Sequence, residues 1–321
     1  MRNKILITGC CGFIGFNLAI KLLENTSNMV IGIDTINSYY DPDLKRDRLK
    51  ILKKKKNYKF YKFDISNYEK LEKIFKQYKL SKIFHFAAQA GVQYSLKHPK
   101  KYHDSNINGY FNILELSRVN KVKNIFYASS SSVYGDSKIF PVKENFTLKP
   151  KNFYGLSKKI NEEMSDIYSN YYNIKIVGLR FFTVYGPWGR PDLVIIKLIN
   201  AFYNNKTFFL NNYGKHYRDF TYIDDVVQII IKLSKNKKIL GHQIFNICSS
   251  KPILLKNLVK IAENNIGKIK IKKRGFQRGD IIKSHGSNKK ITSFISKIKF
   301  TNFEEGFKNT LTWYKNYNKI I

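Results

Sequence analysis

The stretch Thr8 to Gly15, TGCCGFIG, joins a short apolar run (4–8) to a helical pattern (13–24) and sets glycines at positions 9, 12 and 15. A tight strand-to-helix turn, the close approach of a pyrophosphate and the packing of helix on strand each exclude a Cβ, so Gly9, Gly12 and Gly15 suit a dinucleotide-binding turn. Phe13 and Ile14 open a helix whose free N–H groups and positive dipole end face the phosphates. Such a turn alone is a weak signal, since a purely structural tight turn has the same pattern. Asp34 extends the pattern by closing the second β-rich run 19 positions after Gly15, near the roughly 20 expected of the acid that bonds the adenosine ribose hydroxyls. A carboxylate there repels a 2′-phosphate, and Thr35, Ile36 and Asn37 supply no Arg to offset it. NAD is therefore favoured over NADP.

Outward from this turn, short β-rich runs (4–8, 29–33, 58–63, 82–86, 124–129, 174–179) alternate with helical patterns (13–24, 67–78, 103–118, 153–172). That order predicts an α/β fold, a doubly wound parallel sheet of the Rossmann type. After residue 180 the pattern turns irregular: YGPWGRPD, a helix over 193–203, the loop NNYGKHYRD, a helix over 224–233, a strand over 243–247 that returns to the sheet, then helices over 254–265 and 303–317. The expected division is an NAD-binding domain of 1–180 plus about 219–248, and a smaller α/β substrate lobe of 181–218 and 249–321.

The 321 residues are enough for a sizeable core, and 43% are apolar. Their apolar runs fall short of the roughly 18 residues of a membrane span, and MRNKILITG lacks the segments of a signal peptide. Three cysteines cannot build a disulfide framework, so a reducing cytosol is expected. No C-x-x-C or H-E-x-x-H spacing points to a metal. The 58 Lys and Arg against 23 Asp and Glu, net +35, suggest an anionic partner. Yet the lysines are dispersed, only Lys53 to Lys56 form a run, just after an expected helix, and no recognition motif accompanies them. Nucleic acid is therefore not an expected partner. Cys10 and Cys11 read either as small fillers beside a dinucleotide or as thiols acidified at a helix N-terminus. Asp64, with Ile65 beside it, either faces the cofactor or caps the following helix.

In FYGLSKK, Tyr154 and Lys158 stand four apart at a helix start, on one face. An ammonium and a cationic nicotinamide favour the phenolate, which makes Tyr154 a usable base. Ser130 and Ser132, in YASSSSVYG, stand where they can bond a substrate hydroxyl. Tyr-x-x-x-Lys by itself is mostly structural; its weight comes from following the glycine turn, Asp34 and the serines in that order.

Taken together, TGCCGFIG, FAAQAGVQYSL, SSSSVYG, YGLSK, RFFTVYGPWGRPD and RDFTYIDD resemble the extended short-chain dehydrogenase/reductase family, and within it the nucleotide-sugar epimerases. YYDPDLK, AAQAGV and GPWGRPD look most like UDP-glucuronate 4-epimerases. The resemblance implies Tyr154 as general base and acid, with Lys158 lowering its pKa and holding the nicotinamide ribose. It implies Phe86, Ala87 and Ala88 passing under the cofactor and Asn106 facing it. Thr183 and Arg190 match substrate-pocket positions, while Arg218 and Asp280 match residues that hold the diphosphate and the uridine ribose. A homodimer through the helices near 103–118 and 153–172 is implied too.

Two departures stand out: Gln93 replaces an Arg of the family's AGVRYS, and Arg278 replaces the Pro of QPGD, where it serves either a phosphate or solvent. The family's dehydratases and decarboxylases place an acid in the loop that here reads Ser131 and Ser132. Without it, a 4-keto sugar turns and takes hydride back on its other face. The expected reaction is NAD-dependent 4-epimerisation of a UDP-sugar, UDP-glucuronate foremost. The alternatives are a UDP-glucose/UDP-galactose-type 4-epimerase, UDP-glucuronate decarboxylase, or an idle NAD-binding or RNA-associated scaffold.

Overall fold

The computed structural model describes residues 3–277, 279–295 and 298–320. The first six strands are β1 (Asn3–Thr8), β2 (Asn28–Asp34), β3 (Tyr58–Lys62), β4 (Lys82–His85), β5 (Asn124–Ser130) and β6 (Lys175–Phe181). The chain then forms β7 (Thr183–Tyr185), β8 (Phe208–Leu210) and β9 (Tyr217–Tyr222) before β10 (His242–Ile247), and ends its strands with β11 (Pro252–Leu254) and β12 (Ile271–Lys273). The main sheet has the order β10-β6-β5-β4-β1-β2-β3, every pair parallel. It is the expected doubly wound α/β sheet. A three-stranded sheet (β11-β9-β7) and a β12-β8 pair lie beside it.

Strands buried on both faces read as near-continuous apolar runs, and the pleat sorts their residues. Ile5, Ile7, Phe84, Phe126, Val177 and Phe245 belong to one core, while Leu6, Ile31, Ile83, Ile125 and Ile176 belong to the other. The first face is covered by α1 (Phe13–Leu23) and α2 (Pro42–Lys53). Helix α2 is the one that the Lys53 to Lys56 run follows; Asp41 caps it, its carboxylate accepting from Asp43 N–H at 2.9 Å. The other face carries α3 (Tyr68–Gln77) and, after the short α4 (Val92–Lys97) and α5 (Pro99–Tyr102), α6 (Gly109–Val119) and α7 (Phe153–Tyr172). Later helices are α8 (Val194–Tyr203), α9 (Ile223–Lys235), α10 (Leu255–Ile266), α11 (Lys289–Phe294) and α12 (Phe303–Tyr317).

The expected helix over 103–118 divides in two: His103–Asn108 is a π-helix that runs into α6. Its wide turn inserts Asn106, which is fully buried, against the backbone of Gln89. Most of the later strands have three residues, too few for an alternating pattern to register. Among the described residues no helix is long and apolar enough to cross a membrane.

Candidate active site

A cavity of about 570 Å³ opens at the carboxyl ends of the central strands, the place where open α/β sheets bind ligands. Gly9 leaves β1 with φ +72°, and a Cβ there would lie 2.6 Å from Ala87 N. Gly12 is the N-cap residue of α1, with no side chain bonded over the first N–H groups. Gly9, Gly12, Phe13, Ile14 and Gly15 all line the cavity, as do Phe86, Ala87 and Ala88.

Asp34 ends β2 beside this turn. Its Oδ2 accepts from Cys11 N–H at 3.0 Å and its Oδ1 from Ile36 N–H at 2.8 Å. Asp64 and Ile65 line the cavity too. The cap of α3 is Asn67, which accepts from Lys70 N–H; Asp64 instead turns onto Ser66 N–H at 2.9 Å. The helix-cap reading of Asp64 is thereby replaced by a local turn. Acidified thiols are not found at Cys10: burial pushes it well above the ordinary thiol range, with Cys11 adding to the rise.

Asn152 caps α7, accepting from Gly155 N–H at 2.8 Å. A Cβ on Gly155 would fall 2.6 Å from Ser132 O, so glycine lets the serine turn press against the helix start that carries Tyr154. Ser130 ends β5, and its Oγ accepts from Ser132 N–H at 3.1 Å. Burial raises the Tyr154 phenol, while a hydrogen bond with Ser130 and the Arg190 charge pull it back. Lys158 lies one turn further along the same helix, and its own burial lowers it to about 7 against the pull of Glu162. Its Nζ is buried with no hydrogen-bond partner among the described residues.

Thr183, Arg190, Arg218 and Asp280 reach the cavity from the chain beyond β6. Two expected residues do not line it. Asn106 braces the 87–90 loop, accepting from Gln89 N–H and donating to Gln89 O and Ser157 Oγ. Gln93 is exposed and donates to Asp280 Oδ1 at 3.1 Å. Arg278 lies outside the described residues. Tyr39, Lys45 and Asp192 line the cavity without having been expected there; the first two sit in YYDPDLK and the last in GPWGRPD, where a motif marks a loop but not the direction of its side chains.

The model of the NAD dependent epimerase/dehydratase family matches residues 5–248. The chain belongs to this family. Protein CapI of Staphylococcus aureus is 41% identical over 98% of this chain and 99% of its own. The UDP-glucuronate 4-epimerase of Thermodesulfobacterium geofontis is 39% identical over 98% and 97%. Among solved structures, UDP-glucuronic acid 4-epimerase from Bacillus cereus, in complex with UDP-glucuronic acid and NAD, superimposes with a TM-score of 0.93 at 28% identity, covering 98% of this chain and 99% of that one. The residues of this family member fit NAD: Gly9 and Gly15 of the turn leave no room for a Cβ, and the buried Lys158 Nζ, without a hydrogen-bond partner among the described residues, calls for an acceptor.

Proposed function

We propose that this chain interconverts a UDP-sugar with its 4-epimer, UDP-glucuronate and UDP-galacturonate being the pair. The reading is carried by the convergence on one cavity of the Tyr154 phenol, the unpartnered Lys158 ammonium and the glycine turn. The identity to a UDP-glucuronate 4-epimerase supports the choice of sugar.

Tyr154 takes the proton of the sugar 4-hydroxyl and later returns it, with Ser130 bonded to the phenol and Ser132 beside the sugar. Bound in this site, NAD would supply the acceptor and donor for the C4 hydride. Lys158 holds the nicotinamide ribose. The N–H groups of the turn from Gly9 to Gly15, Phe13 and Ile14 included, receive the pyrophosphate, and Asp34 takes the adenosine ribose. Asp64, Ile65 and Phe86 to Ala88 wall the site, and Asn106 keeps that wall in place. Arg218 serves the diphosphate by fork-like donation, and Asp280, joined to Gln93, accepts from the uridine ribose.

Ser131 and Ser132 offer no acid for elimination, which leaves hydride return as the exit from the 4-keto sugar. A 4-keto uronate is a β-keto acid, so Thr183, Arg190 and the serines must hold its carboxylate out of line with the carbonyl. One observation favours a second reading: Arg190 is already paired with Asp192, which suits a neutral UDP-hexose. Incubation with UDP-glucuronate and, separately, UDP-glucose, followed by NMR, decides. Faster turnover of UDP-glucose, or UDP-xylose as main product, overturns the first assignment.

The two-lobe division given by the sequence, a cytoplasmic setting and a homodimer complete the proposal. For the last, α6 and α7 expose Phe111, Ile167 and Tyr171 at 43%, 55% and 81%. Light scattering should give a dimer mass that Ile167→Glu reduces to a monomer's.

A further inference from the structure

Asp34 does not stand alone at its corner of the cavity. Helix α2 carries Lys45 and Arg48, one turn apart, and both side chains are buried where β2 ends, at 6% and 0% exposure. Lys45 lines the cavity together with Asp34, Thr35 and Asn37. Its Nζ donates to Asn37 O at 3.0 Å and to Asn37 Oδ1 at 2.6 Å, and lies 4.5 Å from the centre of the Tyr40 ring. Arg48 donates through Nη1 to Cys11 O at 2.8 Å and to Tyr40 Oη at 2.9 Å, and through Nη2 to Trp188 O. Among the described residues, neither cation has a carboxylate within 4.0 Å. The corner thus holds one carboxylate and two cations, a net charge of the sign that attracts phosphate.

The two cations differ in what they can do. Arg48 is tied to backbone carbonyls and a phenol on three sides, which locks its fork in place. Lys45 has three donors and spends two of them on one residue, so a third remains on a stem that can turn. Burial lowers the Lys45 ammonium and Asp34 is the largest charge opposing that, which agrees with the two being neighbours. Asp34 in turn accepts one backbone N–H on each oxygen, leaving a lone pair on each for ribose hydroxyls.

We propose that Lys45 is a cofactor-selectivity residue: it brings a positive charge to the adenosine ribose, and the exclusion of a 2′-phosphate rests on the Asp34 carboxylate alone. Removing that one charge turns the corner into a 2′-phosphate site. The absence of Arg at positions 35–37 is therefore not what bars NADP; the cation arrives from α2 instead. This rests on the cavity being a dinucleotide site.

The test measures Kd for NAD and NADP by calorimetry on the full chain freed of nucleotide, comparing wild type with D34N, D34N/K45M and D34N/K45R. Wild type should prefer NAD. D34N should bind NADP about tenfold tighter than wild type does, K45M on that background should cancel the gain, and K45R should keep it, since one charge-assisted bond is worth about tenfold or more. If circular dichroism finds D34N unfolded, D34S takes its place. No gain of NADP affinity in the Asp34 variant, a gain that survives K45M, or a wild type that binds NADP as well as NAD overturns the proposal. A wild type that binds neither nucleotide overturns the dinucleotide reading itself, and does so before any variant is compared.

Discussion

Asp192 holds Arg190 by two parallel bonds inside the cavity, Nε to Oδ1 at 2.9 Å and Nη2 to Oδ2 at 2.8 Å. Tyr39 Oη reaches the same Asp192 Oδ2 at 3.5 Å. Burial is the largest single influence on the Asp192 carboxyl and pushes it up, but the Arg190 charge, its hydrogen bonds, the Lys197 charge and a backbone bond together outweigh burial and carry the group below its ordinary value. Arg190 therefore offers a substrate directed donors with its charge already matched.

Two substitutions should separate donor geometry from charge. Arg190→Ala leaves Asp192 unpaired beside any sugar carboxylate, so kcat/KM should fall more for UDP-glucuronate than for UDP-glucose, by about 2–5 kcal/mol. Asp192→Asn frees the guanidinium charge and should shift the ratio of the two kcat/KM values toward the uronate. Steady-state kinetics with both sugars reads each change; equal losses on both sugars would show that Arg190 does not meet the carboxylate.

Tyr154→Phe should keep the fold by circular dichroism and lose about 10² to 10⁴ in kcat, the usual contribution of a general base. Ser130→Ala should move the ascending limb of the pH–rate profile to higher pH. The sign follows from the Ser130 bond, which favours the phenolate and so lowers the phenol.

Lys158 makes stability depend on pH. Its folded-state value of about 7 lies below that of an exposed lysine, so between about pH 7 and 10.4 the unfolded chain binds the extra proton and this group makes stability rise with pH, by up to about 1.4 kcal/mol per unit. Below pH 7 both states are protonated and the cost of the buried charge is fully present. Urea unfolding of nucleotide-free protein should find Lys158→Met more stable than wild type at pH 6, with the difference narrowing by pH 9.

The pair Glu162–Arg180 is buried, 2.8 Å from Arg180 Nε to Glu162 Oε1 and 2.7 Å from Nη2 to Oε2, with Ser129 Oγ also donating to Oε1. Arg180→Met should cost about 3–5 kcal/mol, because it strands a buried carboxylate. Adding Glu162→Met should recover much of that loss in urea melts, since no charge is then left unpaired.

The sequence by itself determined whatever is written locally. A Cβ-free turn, an apolar run of strand length and a Tyr four residues before a Lys are properties of a few consecutive residues, and backbone geometry converts them directly into β1, α1 and one face of α7. The order of such runs was enough for the parallel sheet, because right-handed β-α-β units leave few alternatives. Only the tertiary structure decided the charges of the site. Asp192 meets Tyr39 across 153 positions of the chain, Arg48 meets Trp188 across 140, and Gln93 meets Asp280 across 187. Asn106 turned to brace a loop, and Lys45 came beside Asp34 from the next helix. No local pattern encodes such meetings, since they depend on how whole elements pack and on which buried polar groups must find partners there.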